Sequence, residues 1–264
     1  MNLIQTIILG IVEGITEFLP VSSTGHMIIA QKLLAIESTE FVKAFTVNIQ
    51  FGAILSVVVL YWKRFFQTFD FYWKLIVAVI PALVIGFLFS EKIDALLESV
   101  EVVAIMLVLG GVLMLFVDKW FNKPDEDQTM DWKRAVKIGF YQCIAMIPGI
   151  SRSMASIVGG MTTKLTRKNA AEFSFFLAVP TMAAASGYKL LKLFMDPAGK
   201  SMLSENLVTL LIGNLVAFVV AMAAIKFFIG FLTKYGFKAF GYYRILVGVI
   251  ILVLLFLGVD LDIL

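Results

Sequence analysis

Cysteine is almost absent from this chain. Cys143 is the only one in 264 residues, which excludes a disulfide within the chain and leaves the redox compartment unread. Histidine is equally scarce, with His26 alone. A basic stripe is also lacking: the net charge of +3 is spread along the polar segments, so nothing suggests nucleic acid. No cleavable signal pattern opens the chain, because residues 1–12 carry no basic region and Glu13 and Glu17 stand where small residues would be needed.

Apolar residues are abundant instead. They make up 60% of the chain, with a mean hydropathy of +0.94, above the roughly 45–50% of a soluble domain. They come in runs rather than amphipathic stripes. A membrane-spanning helix needs roughly 20 consecutive apolar residues. The runs 45–62, 71–89, 102–117, 170–191, 207–232 and 242–259 meet or approach that length, and 102–117 is short enough to need a steep path. The chain therefore reads as an all-α integral membrane protein with about six spans. Lys74 and Lys189 lie near the ends of their runs and can snorkel to the surface. Lys226 lies deeper and is expected to face the bundle interior.

Two further apolar segments are broken. Segment 3–19 carries Glu13 and Glu17 and stops at Pro20-Val21-Ser22-Ser23-Thr24-Gly25; segment 135–147 stops at Pro148-Gly149-Ile150-Ser151-Arg152-Ser153. A short apolar segment follows each, 27–34 and 154–161. Helix, break, helix is the pattern of a re-entrant hairpin, tolerated at membrane depth where it is buried in protein or lines a watery cavity. The breaks align: Pro20 with Pro148, Ser23 with Ser151, Thr24 with Arg152, and Gly10 and Gly139 precede them at similar spacing. Each half reads as one hairpin followed by three spans, 1–128 and 129–264, within a single membrane domain. The join falls in the polar stretch 118–137.

Three spans per half is an odd number, so the halves insert oppositely. Loop charges give the orientation. Lys63 and Arg64, the basic residues of 118–137, the group Lys164, Arg167 and Lys168, and the group Lys234, Lys238 and Arg244 read as cytoplasmic. The acidic segment 91–101 and the tail with Asp260 and Asp262 read as outside. Both termini then lie outside, with one hairpin inserted from each face. Paired broken helices in an inverted repeat point to a central site.

The chemistry gathers at the breaks. Glu13 and Glu17 are four residues apart and share a helix face; acids at membrane depth are costly unless they meet a polar cavity or a cation. His26 follows three hydroxyls, Ser22, Ser23 and Thr24. A hydroxyl, a base and orienting carboxylates are the components of an activated nucleophile. Arg152 sits in the second break between Ser151 and Ser153, where a planar guanidinium suits phosphate and the start of the next helix favours anions. Gln50, inside a span, is a weaker cavity-lining candidate, and Glu172 and Ser174 are weaker still. The aromatic cluster 173–176 reads as packing.

The stretch Glu13-Gly14-Ile15-Thr16-Glu17-Phe18-Leu19-Pro20-Val21-Ser22-Ser23-Thr24-Gly25-His26 resembles the N-terminal signature of the undecaprenyl-diphosphate phosphatase, or bacitracin-resistance, family. Pro148-Gly149-Ile150-Ser151-Arg152-Ser153 resembles its second signature, and Glu172-Phe173-Ser174-Phe175-Phe176-Leu177-Ala178-Val179-Pro180 a third stretch. The similarity spans essentially the whole chain. It departs from the family pattern after Arg152-Ser153, where Met154-Ala155-Ser156 replaces the usual Gly-Ala-Thr; Ser156 keeps a hydroxyl.

The resemblance implies a bacterial inner-membrane enzyme that recycles the cell-wall lipid carrier, converting undecaprenyl diphosphate to the monophosphate at a site open to the periplasm or cell exterior. On this reading Arg152 clamps the diphosphate, Ser23 is the nucleophile, His26 its base and Glu17 the residue orienting His26. Glu13 completes the acid pair. Direct attack by His26 is the alternative. Ser22, Thr24, Ser151, Ser153, Ser156 and Gln50 are expected to contact substrate. A divalent cation, Mg2+ or Ca2+, between Glu13, Glu17 and substrate oxygens is one way to neutralise the diphosphate; Arg152 without a metal is the other. No organic cofactor is expected. The partners are the polyprenyl diphosphate and membrane lipids, and the sequence leaves a homo-oligomer open. The rival class is a polyprenyl-phosphate flippase or other secondary transporter, since the architecture suits both.

Overall fold

The structure is a computed structural model that describes residues 1–65, 69–97, 99–259 and 261. Glu98, Asp260 and Asp262, whose charges enter the orientation argument, lie outside the described residues. The described residues form helices and connecting turns, with no strand.

Both broken segments form helix, break and helix. In the first half, α1 (Leu3–Thr16) and α2 (Ser23–Leu33) flank the first break. Asn2 caps α1 through a reciprocal capping box with Gln5. In the second half, α8 (Trp132–Cys143) runs through a 3₁₀ turn, Ile144–Met146, to the second break, and α9 (Arg152–Thr162) follows it. Asp131 caps α8 through Arg134 N, and Ser151 caps α9 through Met154 N.

The long helices are α3 (Glu40–Leu60), α5 (Phe69–Leu88), α7 (Val100–Trp120), α10 (Arg167–Met195), α12 (Leu207–Tyr235) and α13 (Lys238–Phe256). Short helices α4 (Trp62–Phe65), α6 (Ser90–Leu97) and α11 (Pro197–Glu205) join them. Among the described residues five helices, α3, α5, α7, α12 and α13, are long and apolar enough to cross a membrane. The run 102–117 lies in a 21-residue helix, roughly 30 Å at 1.5 Å per residue, so no steep path is needed. The run 170–191 lies in α10, whose 29 residues are length enough but whose composition is too polar to count among those five. That polarity faces inward: Ser174, Thr181 and Ser186 bond to Arg152, Gln142 and Gln50.

Packing crosses between the halves. α1 lies against α12 and α3, while α8 lies against α5. Glycines permit both approaches: a Cβ on Gly10 would come 3.0 Å from Gly213 O, and one on Gly139 would come 2.3 Å from Ala78 O. α7 and α13 pack along their length. Lipid tails are as apolar as a core, so close packing and interhelical hydrogen bonds hold such a bundle. Asn214 of α12 joins Asn48 and the Gly52 N–H of α3 in this way. Outward, large apolar side chains stay exposed, including Ile80, Leu83, Phe87, Leu211, Leu215 and Leu246. This is the apolar belt of a multi-pass membrane protein.

Polar turns gather at one end. Asp118 accepts from Arg167 Nε at 2.8 Å and from Phe237 N at 2.7 Å. Asp125 pairs with Arg134 at 3.1 Å and with Lys164 at 3.2 Å. These contacts join the turns α7–α8, α9–α10 and α12–α13, all expected on the cytoplasmic side.

Two expectations are corrected. Lys226 is exposed and does not face the bundle interior. Ala221, Ile225, Phe228 and Leu232 make the buried stripe of α12, and Lys226 lies one residue off it, on another face. Arg244 is not a loop charge. It sits inside α13 and is fully buried, because four backbone carbonyls surround its guanidinium.

Candidate active site

The two hairpin tips meet inside the bundle. Phe18 and Val21 of the first tip pack in one core with Met154, Ile157 and Phe175, and the Phe18 and Phe175 rings stand edge to face at 5.4 Å. Ser153 Oγ donates to Phe18 O at 2.7 Å, and Ser151 Oγ to Leu19 O at 3.4 Å. These bonds hold tip against tip.

α1 ends where its acids begin to act. Glu17 caps the helix, its N–H donating to Glu13 O. Its carboxylate then faces two ways. Oε2 accepts from Ser23 Oγ at 2.9 Å, and Oε1 accepts from Arg152 Nη2 at 3.0 Å. A hydroxyl of the first hairpin and the guanidinium of the second are thus one carboxylate apart. Glu17 is 8% exposed and Glu13 1%, so this is a dry setting in which a charge-assisted bond is strong.

Both terminal nitrogens of Arg152 are held. Nη1 donates to Ser174 O at 3.1 Å, Nη2 lies 3.7 Å from Met182 Sδ, and the guanidinium carbon lies 5.5 Å from the centre of the Phe18 ring. Ser174 Oγ in turn bonds Ser156 Oγ at 2.6 Å. Among the described residues Arg152 Nε and Glu13 Oε1, both buried, find no hydrogen-bond partner. Unsatisfied buried groups are rare in folded proteins; here one is a donor and the other an acceptor.

His26 is oriented differently from the sequence expectation. Nδ1 lies 2.8 Å from Ser22 O, and Nε2 lies 2.7 Å from Tyr243 Oη. A carbonyl only accepts, so Nδ1 carries the proton; in the neutral ring Nε2 accepts from the tyrosine. The rings of His26 and Tyr243 stack at 5.5 Å. Ser22 adopts φ of 69°, the left-handed region that costs a non-glycine residue about 1–3 kcal/mol. That turn aims its carbonyl at His26. Among the described residues no hydrogen bond joins His26 to Ser23 or Glu17. The partner of Ser23 is the carboxylate, and the group orienting His26 is the Ser22 carbonyl.

The remaining expected residues divide. Thr24 stands in the first turn of α2, half-buried, one residue from Ser23. Ser153 and Ser156 are fully buried and bond to protein oxygens, so they brace Arg152 and the tips. Gln50 bonds Ser186 at 2.7 Å, linking α3 to α10. Glu13 and Glu17 are the acids available to a divalent cation. Both oxygens of Glu17 are already engaged, and among the described residues no group of three or more His, Cys, Asp or Glu side chains could hold a metal. Substrate oxygens would have to complete such a site.

Sequence reasoning missed Tyr243, Arg244 and the weight of Ser174. The signal for Arg244 was its place within the apolar run Tyr242-Tyr243-Arg244-Ile245-Leu246-Val247. An ionisable residue there is an intramembrane feature by default.

The family described as bacitracin resistance protein BacA matches residues 6–250. A protein of Flavobacterium psychrophilum named undecaprenyl-diphosphatase is 61% identical over 97% of this chain and 97% of its own. The undecaprenyl-diphosphatase of Porphyromonas gingivalis is 57% identical over 99% of both chains, and that of Aquifex aeolicus 44% identical over 93% of this chain and 96% of its own. This chain belongs to the bacitracin resistance protein BacA family.

Proposed function

We propose that this protein is a membrane phosphatase that hydrolyses undecaprenyl diphosphate to undecaprenyl phosphate and inorganic phosphate. In doing so it recycles the cell-wall lipid carrier and protects against bacitracin. The observation that carries the mechanism is Glu17 bridging Ser23 and Arg152. The names of the relatives support the substrate.

Arg152 holds the terminal phosphoryl group and offsets charge that builds on its oxygens, the main task in phosphoryl transfer. Ser23 Oγ attacks the terminal phosphorus as Glu17 accepts the hydroxyl proton. The bridging P–O bond breaks and the lipid monophosphate departs with that bonding pair. The proton on Glu17 passes to the departing phosphate. Water then attacks the phosphoserine as Glu17 takes its proton; the P–Oγ bond breaks, Oγ leaves with the bonding pair and takes that proton back, and inorganic phosphate departs. His26, held by Ser22 and Tyr243, braces the start of α2 that carries Ser23. If a divalent cation takes part, Glu13 and Glu17 would hold it with substrate oxygens, and it would supply charge neutralisation.

The protein lies in the bacterial inner membrane, built from two inverted halves, 1–128 and 129–264, with the site open to the exterior and both termini outside. The two hairpins, the crossed packing of α1 on α12 and α8 on α5, and the gathering of basic turns at one end support this arrangement. Trapping tests the mechanism: labelled undecaprenyl diphosphate should leave an acid-stable phosphoserine on Ser23. An acid-labile phosphohistidine would move the nucleophile to His26.

A further inference from the structure

Arg244 is absent from the mechanism above, yet it is the largest fully buried side chain among the described residues. Nη1 donates to Pro20 O at 3.1 Å, and Nη2 to Gly149 O at 2.7 Å. Nη2 also reaches Met106 O at 3.1 Å and Nε reaches Leu107 O at 3.4 Å, both on α7. Every acceptor is a neutral carbonyl, and none of the ion pairs among the described residues includes Arg244.

Burying a guanidinium without a carboxylate is expensive. Bundle stability alone does not require it, since an apolar side chain at this place on α13 would pack against α7. What the guanidinium adds is directional: one planar group reaches both breaks at once. Pro20 lies midway between Glu17 and Ser23, and Gly149 lies three residues before Arg152.

The surroundings are shaped to admit this group. A Cβ on Gly110 would come 2.4 Å from Arg244 Nη2. Gly149 has φ of +89°, and a Cβ there would come 2.4 Å from Val103 O. Only glycine lets the second tip press onto α7 in that conformation. The preceding residue, Tyr243, holds His26. One turn of α13 therefore touches the catalytic segment of the first hairpin at two points and the second hairpin at a third.

We propose that Arg244 is a positioning residue for the reaction. It holds the Pro20 and Gly149 carbonyls at a fixed separation, so that Glu17 and Ser23 from one hairpin meet Arg152 from the other. The proposal rests on reading this site as a diphosphate phosphatase. Lysine keeps the charge but offers one nitrogen, which cannot reach the tips and α7 from separate corners of a fork.

The test uses the purified full chain in detergent, with Arg244→Lys and Gly110→Ala. The second variant crowds the guanidinium without removing it. Amide exchange is expected to rise about tenfold or more at both tips together, residues 17–24 and 147–153, while α3 and α12 keep their protection. On undecaprenyl diphosphate, kcat should fall about tenfold or more with KM changed less than about threefold. Arg152→Lys, expected to cost the wild type about a hundredfold, should cost less than about tenfold in either background, because the fork is already out of register.

An even rise in exchange through the bundle, a rise at one tip only, or an unchanged Arg152→Lys penalty would overturn the proposal. If Arg244→Lys fails to fold, Gly110→Ala carries the same readings. A wild-type protein that releases no phosphate sinks the phosphatase reading, and the exchange pattern still decides whether Arg244 sets the tips.

Discussion

Glu17 and Arg152 stand 135 positions apart in the sequence and 3.0 Å apart in the fold. Each comes from the break of a different hairpin, so neither half alone holds a complete site. The carboxylate that receives Arg152 also receives Ser23, so in the proposed mechanism phosphate binding and activation of the hydroxyl share one group.

Arg152→Lys tests the clamp. Lysine retains a cation beside Glu17 but loses the planar fork. If about 3 kcal/mol of transition-state stabilisation goes with it, kcat falls about a hundredfold. Steady-state phosphate release gives the number, and a rate within threefold of wild type would show that charge alone suffices.

Glu17→Gln against His26→Ala separates the two candidate bases. Glu17 touches Ser23, whereas both His26 nitrogens are engaged elsewhere. Loss of the base should cost about a hundredfold to ten-thousandfold, and His26→Ala should cost less. The reverse order would return the base to the histidine.

Ser153→Ala probes the contact between tips. Its hydroxyl is fully buried and donates to Phe18 O at 2.7 Å. Removal is expected to cost about 1 kcal/mol, within the range seen for interhelical bonds in membranes. A lower midpoint in detergent-denaturation titration checks this; an unchanged midpoint would mean the tips are held by packing alone.

Much of this fold was legible because membrane insertion writes itself in long apolar runs, and because Pro20 and Pro148 interrupt two of them at matching places. Glu13, Glu17, Ser23 and Arg152 were singled out because ionisable and hydroxyl residues stand out against such a background. The register of the two breaks already set Arg152 near Ser23 and the acids, but that Glu17 and not His26 would take the Ser23 hydroxyl was not legible. Glu17 and His26 lie close in sequence, which suggested that they meet, but Ser22 turns its carbonyl onto the ring first. Arg244 was misread because basic residues near a helix start look like loop charges; only the opposing carbonyls of Pro20, Met106, Leu107 and Gly149 make its depth tolerable. The run 170–191 reads as a sixth span, but Ser174, Thr181 and Ser186, whose partners lie on other helices, leave α10 outside the five helices apolar enough to cross a membrane.

The orientation has its own check. A reporter fused after Leu264, which lies outside the described residues, is expected to appear on the exterior face. A cytoplasmic signal would remove the inverted halves and turn the site the other way.

The most direct measurement is phosphate release from undecaprenyl diphosphate by the purified protein, wild type beside Glu17→Gln, together with the fate of the lipid. The account predicts one phosphate and one undecaprenyl monophosphate per turnover from the wild type, and almost none from Glu17→Gln. A folded wild-type protein that carries the lipid across vesicles but releases no phosphate would contradict it and favour a transporter.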